Sequence, residues 1–148
     1  MLTHLLYYTA QRLGDVLRMS FGDITGDRMM VRQQKTGKLL SIPLHRALRD
    51  ELAKLGRTTG LICLTPGGRS ISGDMARKAL KEFTATENAT CVPHGLRKNA
   101  VIALLEAGCS IAETAAISGQ TLRMVELYAR GRDQAALAGS AMLRWEAN

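Results

Sequence analysis

Three side chains within residues 93–130 have the types and spacing to act on one anionic ligand. His94 and Arg97 stand at His-x-x-Arg spacing, and Tyr128 follows a polar break and one short helical run. Residues three apart share a helix face, so the pair addresses one ligand if its turn is helical. A guanidinium beside a group that titrates near neutrality suits an anion such as phosphate. Between the pair and the tyrosine lie two apolar-periodic segments, residues 100–107 and 111–117, separated by Gly108.

The rest of the chain supplies the elements that must hold these residues. Leu2, Leu5 and Leu6 predict a short apolar helix, and Arg12 is followed by Leu13, Val16 and Leu17 at helical spacing. Alone, Arg12 reads as a solvated helix charge. Residues 20–43 change period: stretches 21–24, 29–33 and 39–43 predict three short strands, with turns at Thr25-Gly26-Asp27 and Thr36-Gly37. Lys35 and Lys38 flank the second turn, where a lysine is usually only solubilising. An amphipathic helix is expected over residues 45–55, ended by Gly56, and residues 61–64 read as an edge strand or buried turn. Asp74 is the expected N-cap of a helix over residues 75–83, which carries Arg77, Lys78 and Lys81. Ser110 and Glu113 have capping-box spacing, Ser118-Gly119 ends that helix, and Thr121 can cap the one leading to Tyr128. Past Gly131 a last helix is expected, with Leu137, Ala141 and Trp145 on one face.

Composition narrows the partners. The chain has 148 residues, enough for one domain with a proper core, and a net charge of +7 with 46% hydrophobic residues. That basic bias favours a polyanion, and it is concentrated in the first 60 residues, whereas residues 131–148 are neutral and suit a protein contact. Cys63, Cys91 and Cys109 are odd in number, fit no metal-ligand spacing and sit beside apolar residues, so buried free thiols are expected. No secretory leader and no apolar run of membrane-spanning length occurs in the sequence, so a cytoplasmic protein is expected.

The order Arg12, Lys35, His94-x-x-Arg97, Tyr128 resembles that of the tyrosine recombinase (phage integrase) family. Thr9-Ala10-Gln11-Arg12-Leu13-Gly14-Asp15 resembles the family's first-arginine box. Gln34-Lys35-Thr36-Gly37-Lys38 followed by Ile42-Pro43-Leu44 resembles its lysine hairpin, and His94-Gly95-Leu96-Arg97-Lys98 its second box. Leu104-Leu105-Glu106-Ala107-Gly108 and Met124-Val125-Glu126-Leu127-Tyr128 continue the match to the nucleophile. The family usually carries Gly-His or Gly-Trp about nine residues before the tyrosine. Matching by dipeptide puts Gln120 in the histidine slot, and counting back nine puts Gly119 there. Gln120 is preferred, because an amide can donate a hydrogen bond to phosphate and glycine has no side chain to do so.

The resemblance implies an α+β, mostly helical fold: a small three-stranded antiparallel sheet packed with a helical bundle, of the DNA breaking-rejoining type. Residues 1–130 would form the catalytic domain, without the family's N-terminal core-DNA-binding domain. Residues 131–148 would form a tail helix anchored by Ala136, Leu137, Met142 and Trp145, either folded back or exchanged between protomers. The implied reaction is transesterification at a DNA phosphodiester through a 3′-phosphotyrosyl bond, with no metal or cofactor. Tyr128 would be the nucleophile, His94 its base, Arg12 and Arg97 the phosphate clamp, Lys35 the acid, and Gln120 a further phosphate donor. Asp15 would orient Arg12 or the fold. Lys38, Arg69, Arg77, Lys78 and Lys98 are further candidates to contact DNA. The implied partners are double-stranded attachment sites and other copies of the chain, as a tetramer on DNA, in the nucleoid. Two rival readings are a type IB topoisomerase-like enzyme and a catalytically idle DNA-binding remnant of an integrase.

Overall fold

The computed structural model describes residues 1–86, 91–130 and 134–147. Eight helices and three strands follow in the order α1 (Leu2–Thr9), α2 (Leu13–Val16), β1 (Ile24–Thr25), β2 (Arg28–Arg32), β3 (Leu39–Pro43), α3 (Arg46–Ala53), α4 (Gly73–Thr86), α5 (Pro93–Glu106), α6 (Ile111–Ser118), α7 (Leu122–Ala129) and α8 (Gln134–Glu146) among the described residues. The sheet is antiparallel in the order β1-β2-β3, with Met29 opposite Ile42 and Val31 opposite Leu40. The fold is α+β and mostly helical, as the sequence predicts.

The sheet turns one face inward by simple alternation. Met29, Val31 and Ile42 are buried there with Leu5 and Leu6 of α1, Val16 of α2, and Leu48 and Leu52 of α3. α1 packs on α5, and a smaller cluster of Val101, Leu105 and Val125 joins α5 to α7. The tyrosine's helix is therefore held to the helix that carries His94 and Arg97.

Local signals explain most of the boundaries. The Ser110–Glu113 capping box forms in both directions, Gly119 ends α6 in the left-handed conformation, and the Thr121 hydroxyl accepts the Met124 N–H. Pro93 occupies the first turn of α5, where its missing N–H costs nothing.

Several expectations are corrected. Residues 21–23 form a 3₁₀ turn in place of the start of a strand, because the Asp23 carboxylate accepts the Ser20 N–H and hydroxyl and curls the chain. β1 is consequently only two residues long. The cap of α4 is Ser72, whose hydroxyl accepts the Met75 N–H, while Asp74 pairs with Arg77 inside the first turn. Residues 61–64 make only isolated bridges, Ser20 to Leu61 and Leu64 to Ser70. All three cysteines are free, but only Cys63 is buried; Cys91 and Cys109 are half-buried. In α8, Leu137 is half-buried, whereas Ala141 and Trp145 are exposed; the side chain of Ala136 lies outside the described residues. Among the described residues no helix is long and apolar enough to cross a membrane.

Candidate active site

The first arginine is delivered by a strained turn. α1 ends at Ala10, whose φ of 52° is left-handed and costs a non-glycine residue roughly 1–2 kcal/mol. The chain then reverses, so Arg12 becomes the residue before α2 in extended backbone. Asp15, on that short helix, is buried and accepts the Gln34 N–H at 2.8 Å while lying 3.6 Å from Arg18. The carboxylate thus fastens the hairpin that bears Lys35 to the turn that bears Arg12.

The second box lies on the first turn of α5, which is helical as the spacing required. His94 and Arg97 line the same cleft as Arg12, a space of about 640 Å³ walled also by Leu13, Arg77, Lys81, Cys91, Val92 and Pro93. His94 is exposed and Arg97 is 5% exposed. Arg97 donates from Nη2 to the Ser118 carbonyl at 2.9 Å. Its Nε and the Nη1 of Arg12 are buried with no acceptor among the described residues. Burial, and then the neighbouring Arg12 cation, pull the Arg97 pKa down to about 10; Asp15 and Tyr128 act the other way. Two converging guanidiniums with unspent donors make a site for an anion.

The remaining catalytic candidates are not among the residues that line this cleft. Tyr128 is half-buried on α7 against Val101, Leu105 and Val125, near enough to Arg97 for its charge to be felt there. Gln120 is half-buried in the loop between α6 and α7, its Oε1 sequestered without a partner and its N–H donating to the Ser118 hydroxyl at 3.3 Å. Lys35 is exposed on the hairpin tip, and Lys38 reaches from the same hairpin to the Gly119 carbonyl at 3.3 Å. Of the tentative DNA contacts, only Arg77 lines the cleft. Arg69, Lys78 and Lys98 are exposed outside it. Lys81, which the sequence offers only as one charge of its helix, is part of the wall.

Sequence reasoning missed a buried amide network behind the cleft. Gln11 and Gln33 are both fully buried. Gln11 donates to the carbonyls of Thr9 and Ile117 at 2.8 and 3.0 Å. Gln33 donates to Gln11 Oε1 at 2.7 Å and to the Ser118 carbonyl at 3.0 Å, and accepts from the Thr36 hydroxyl at 2.7 Å. The available signal was strand alternation: Gln33 extends the inward face of Met29 and Val31, where a polar residue needs partners.

The phage integrase family model matches residues 1–135. The chain belongs to the phage integrase family. Prophage integrase IntE of Escherichia coli (strain K12) is 45% identical over 53 residues, 31% of this chain and 14% of that protein. Among solved structures, XerA recombinase superposes with a TM-score of 0.74 at 17% identity, covering 95% of this chain and 55% of that one, which speaks to the fold. A lambda integrase tetramer bound to a Holliday junction gives a TM-score of 0.67 at 25% identity, covering 81% of this chain and 40% of that one. The chain thus spans about half the length, or less, of these integrases and recombinases.

Proposed function

We propose that this chain is the catalytic domain of a tyrosine site-specific recombinase that cuts and rejoins DNA strands through a 3′-phosphotyrosyl intermediate. The carrying observation is the cleft in which Arg12 and Arg97 converge beside His94, each arginine retaining a buried donor without an acceptor. A phosphodiester supplies the missing acceptors and the missing negative charge.

The chemistry assigns each residue a task. Ionising a phenol of pKa about 10 at neutral pH costs roughly 4 kcal/mol, so the Tyr128 proton must be accepted as Oη attacks phosphorus. His94 takes it. The P–O5′ bond breaks as the P–Oη bond forms, and Lys35 gives a proton to the departing 5′-oxygen. Charge gathers on the non-bridging oxygens in the transition state, where Arg12 and Arg97 hold it. Gln120 offers a further amide donor. A second 5′-hydroxyl reverses the sequence and seals the new strand.

The walls favour a double-stranded attachment site. Arg77 and Lys81 extend the positive cleft along α4, and Lys38, Arg69, Lys78 and Lys98 add exposed charge for backbone phosphates. Assembly as a tetramer on DNA agrees with the lambda integrase tetramer above. The tail fits a role between protomers, since Met142, Leu143 and Trp145 are 49%, 70% and 75% exposed on α8. A DNA-bound protein of this kind would work in the cytoplasm, on the nucleoid.

The test is a nicked suicide substrate drawn from a pool of candidate attachment sequences, read as a covalent protein–DNA adduct on a denaturing gel. The expected adduct disappears in Tyr128→Phe while DNA affinity stays. Binding without any adduct, even after an N-terminal clamp domain is supplied, would favour an idle DNA-binding module instead.

A further inference from the structure

We infer that Gln33 is a positioning residue for Arg97, acting through the Ser118 carbonyl oxygen that both donate to. This rests on the recombinase reading, since it concerns the same cleft. Arg97 Nη2 and Gln33 Nε2 approach that single oxygen at 2.9 and 3.0 Å. Among the described residues this is the one hydrogen bond of the Arg97 guanidinium, and its buried Nε has no acceptor. The position of the Ser118 carbonyl therefore decides where the buried cation points.

Gln33 fixes that carbonyl from the hairpin side. It follows β2 directly, its Oε1 accepts from Thr36 at the hairpin tip, and its Nε2 is shared with Gln11, the neighbour of Arg12. One fully buried amide thus bonds to the lysine hairpin, the first-arginine turn and the Arg97 acceptor. Gly119 shows how closely the parts meet. A Cβ there would lie 2.7 Å from Gln33 Cδ and 2.8 Å from Leu40 Cδ1, so only glycine lets the amide reach Ser118. Lys38 closes the ring on the next carbonyl, that of Gly119. Misplacement of a catalytic group by about 1 Å can cost on the order of a hundredfold in rate, so loosening this amide should be felt mainly at the chemical step.

The experiment uses Gln33→Met, which keeps length and removes the donor, together with Arg97→Lys and the double variant. The expected result is an adduct-forming rate lowered about 10- to 100-fold, with DNA affinity, carried by many other phosphate contacts, falling by less. In the Arg97→Lys background the same change should cost little, because its effect passes through the guanidinium. Unchanged rate in Gln33→Met, or losses that multiply in the double variant, would overturn the role. Should Gln33→Met fail to fold, Gln11→Met with Gln33→Met removes both amides and is measured instead. Inorganic phosphate affinity, followed by thermal shift, is the readout independent of strand cleavage. It should fall about tenfold in Gln33→Met and fall no further when Gln33→Met is added to Arg97→Lys. A wild type that forms no adduct sinks the recombinase reading, and the phosphate titration then decides alone: unchanged affinity in Gln33→Met refutes the positioning role.

Discussion

The guanidinium of Arg97 is buried within the electrostatic reach of Arg12, and burial plus that neighbour hold its pKa near 10. Two like charges are kept together by the fold against their own preference. A value so far below the ordinary arginine range means that folding free energy on the order of 3 kcal/mol is withheld while Arg97 is protonated. The sign is that of a base with a lowered folded pKa: the cost is constant below about pH 10 and is relieved only as the pH rises through the folded value.

Arg97→Met should consequently abolish adduct formation without lowering stability. The relief of about 3 kcal/mol offsets the loss of a charged hydrogen bond worth roughly 1.5–3 kcal/mol, and the Ser118 carbonyl keeps its bond from Gln33. Urea unfolding near pH 7 should give a free energy equal to or above that of wild type. Added phosphate should raise the melting temperature of wild type and leave that of the variant unmoved.

Gly119→Ala should destabilise by about 2–4 kcal/mol. The left-handed φ of 67° penalises any side chain, and the new methyl group strikes Gln33 and Leu40. Chemical denaturation measures the loss, and a value under about 1 kcal/mol would mean that the loop between α6 and α7 relaxes freely.

Asp15→Ala should cost about 1–3 kcal/mol by stranding the Gln34 N–H, and should slow strand cleavage as the hairpin loosens from α2. Equal rates in variant and wild type would show that the hairpin is held by its amide network alone.

Salt dependence separates wall from periphery. Arg77→Ala and Lys81→Ala should each reduce the slope of log affinity against log salt by about 0.9, whereas Lys78→Ala, outside the cleft, should change it less. Fluorescence anisotropy on a duplex at several salt concentrations supplies the slopes.

Trp145→Ser should leave the melting temperature of the isolated chain within about a degree, since the indole is 75% exposed, while weakening assembly on DNA. Analytical ultracentrifugation with and without a duplex reads both.

Residue order alone determined the family, the helical spacing of His94 and Arg97, the hairpin of β2 and β3, and the caps at Ser110 and Thr121. Those features are local: periodicities of two and 3.6, a turn glycine, a hydroxyl three residues from an N–H. The short β1 and the Ser72 cap escaped because several nearby polar groups compete there for the same backbone donors, and sequence does not rank them. Only the tertiary structure decided that Arg12 and Arg97 keep buried, unspent donors in one cleft, that Lys35 is not among its lining residues, and that Lys81 joins its wall. It also decided what the buried amides of Gln11 and Gln33 bond to. Their role depends on the Ser118 carbonyl, a backbone atom 85 residues from Gln33, brought to it by the packing of α6 on β3. A backbone acceptor carries no residue type, so no pattern of side chains could announce it.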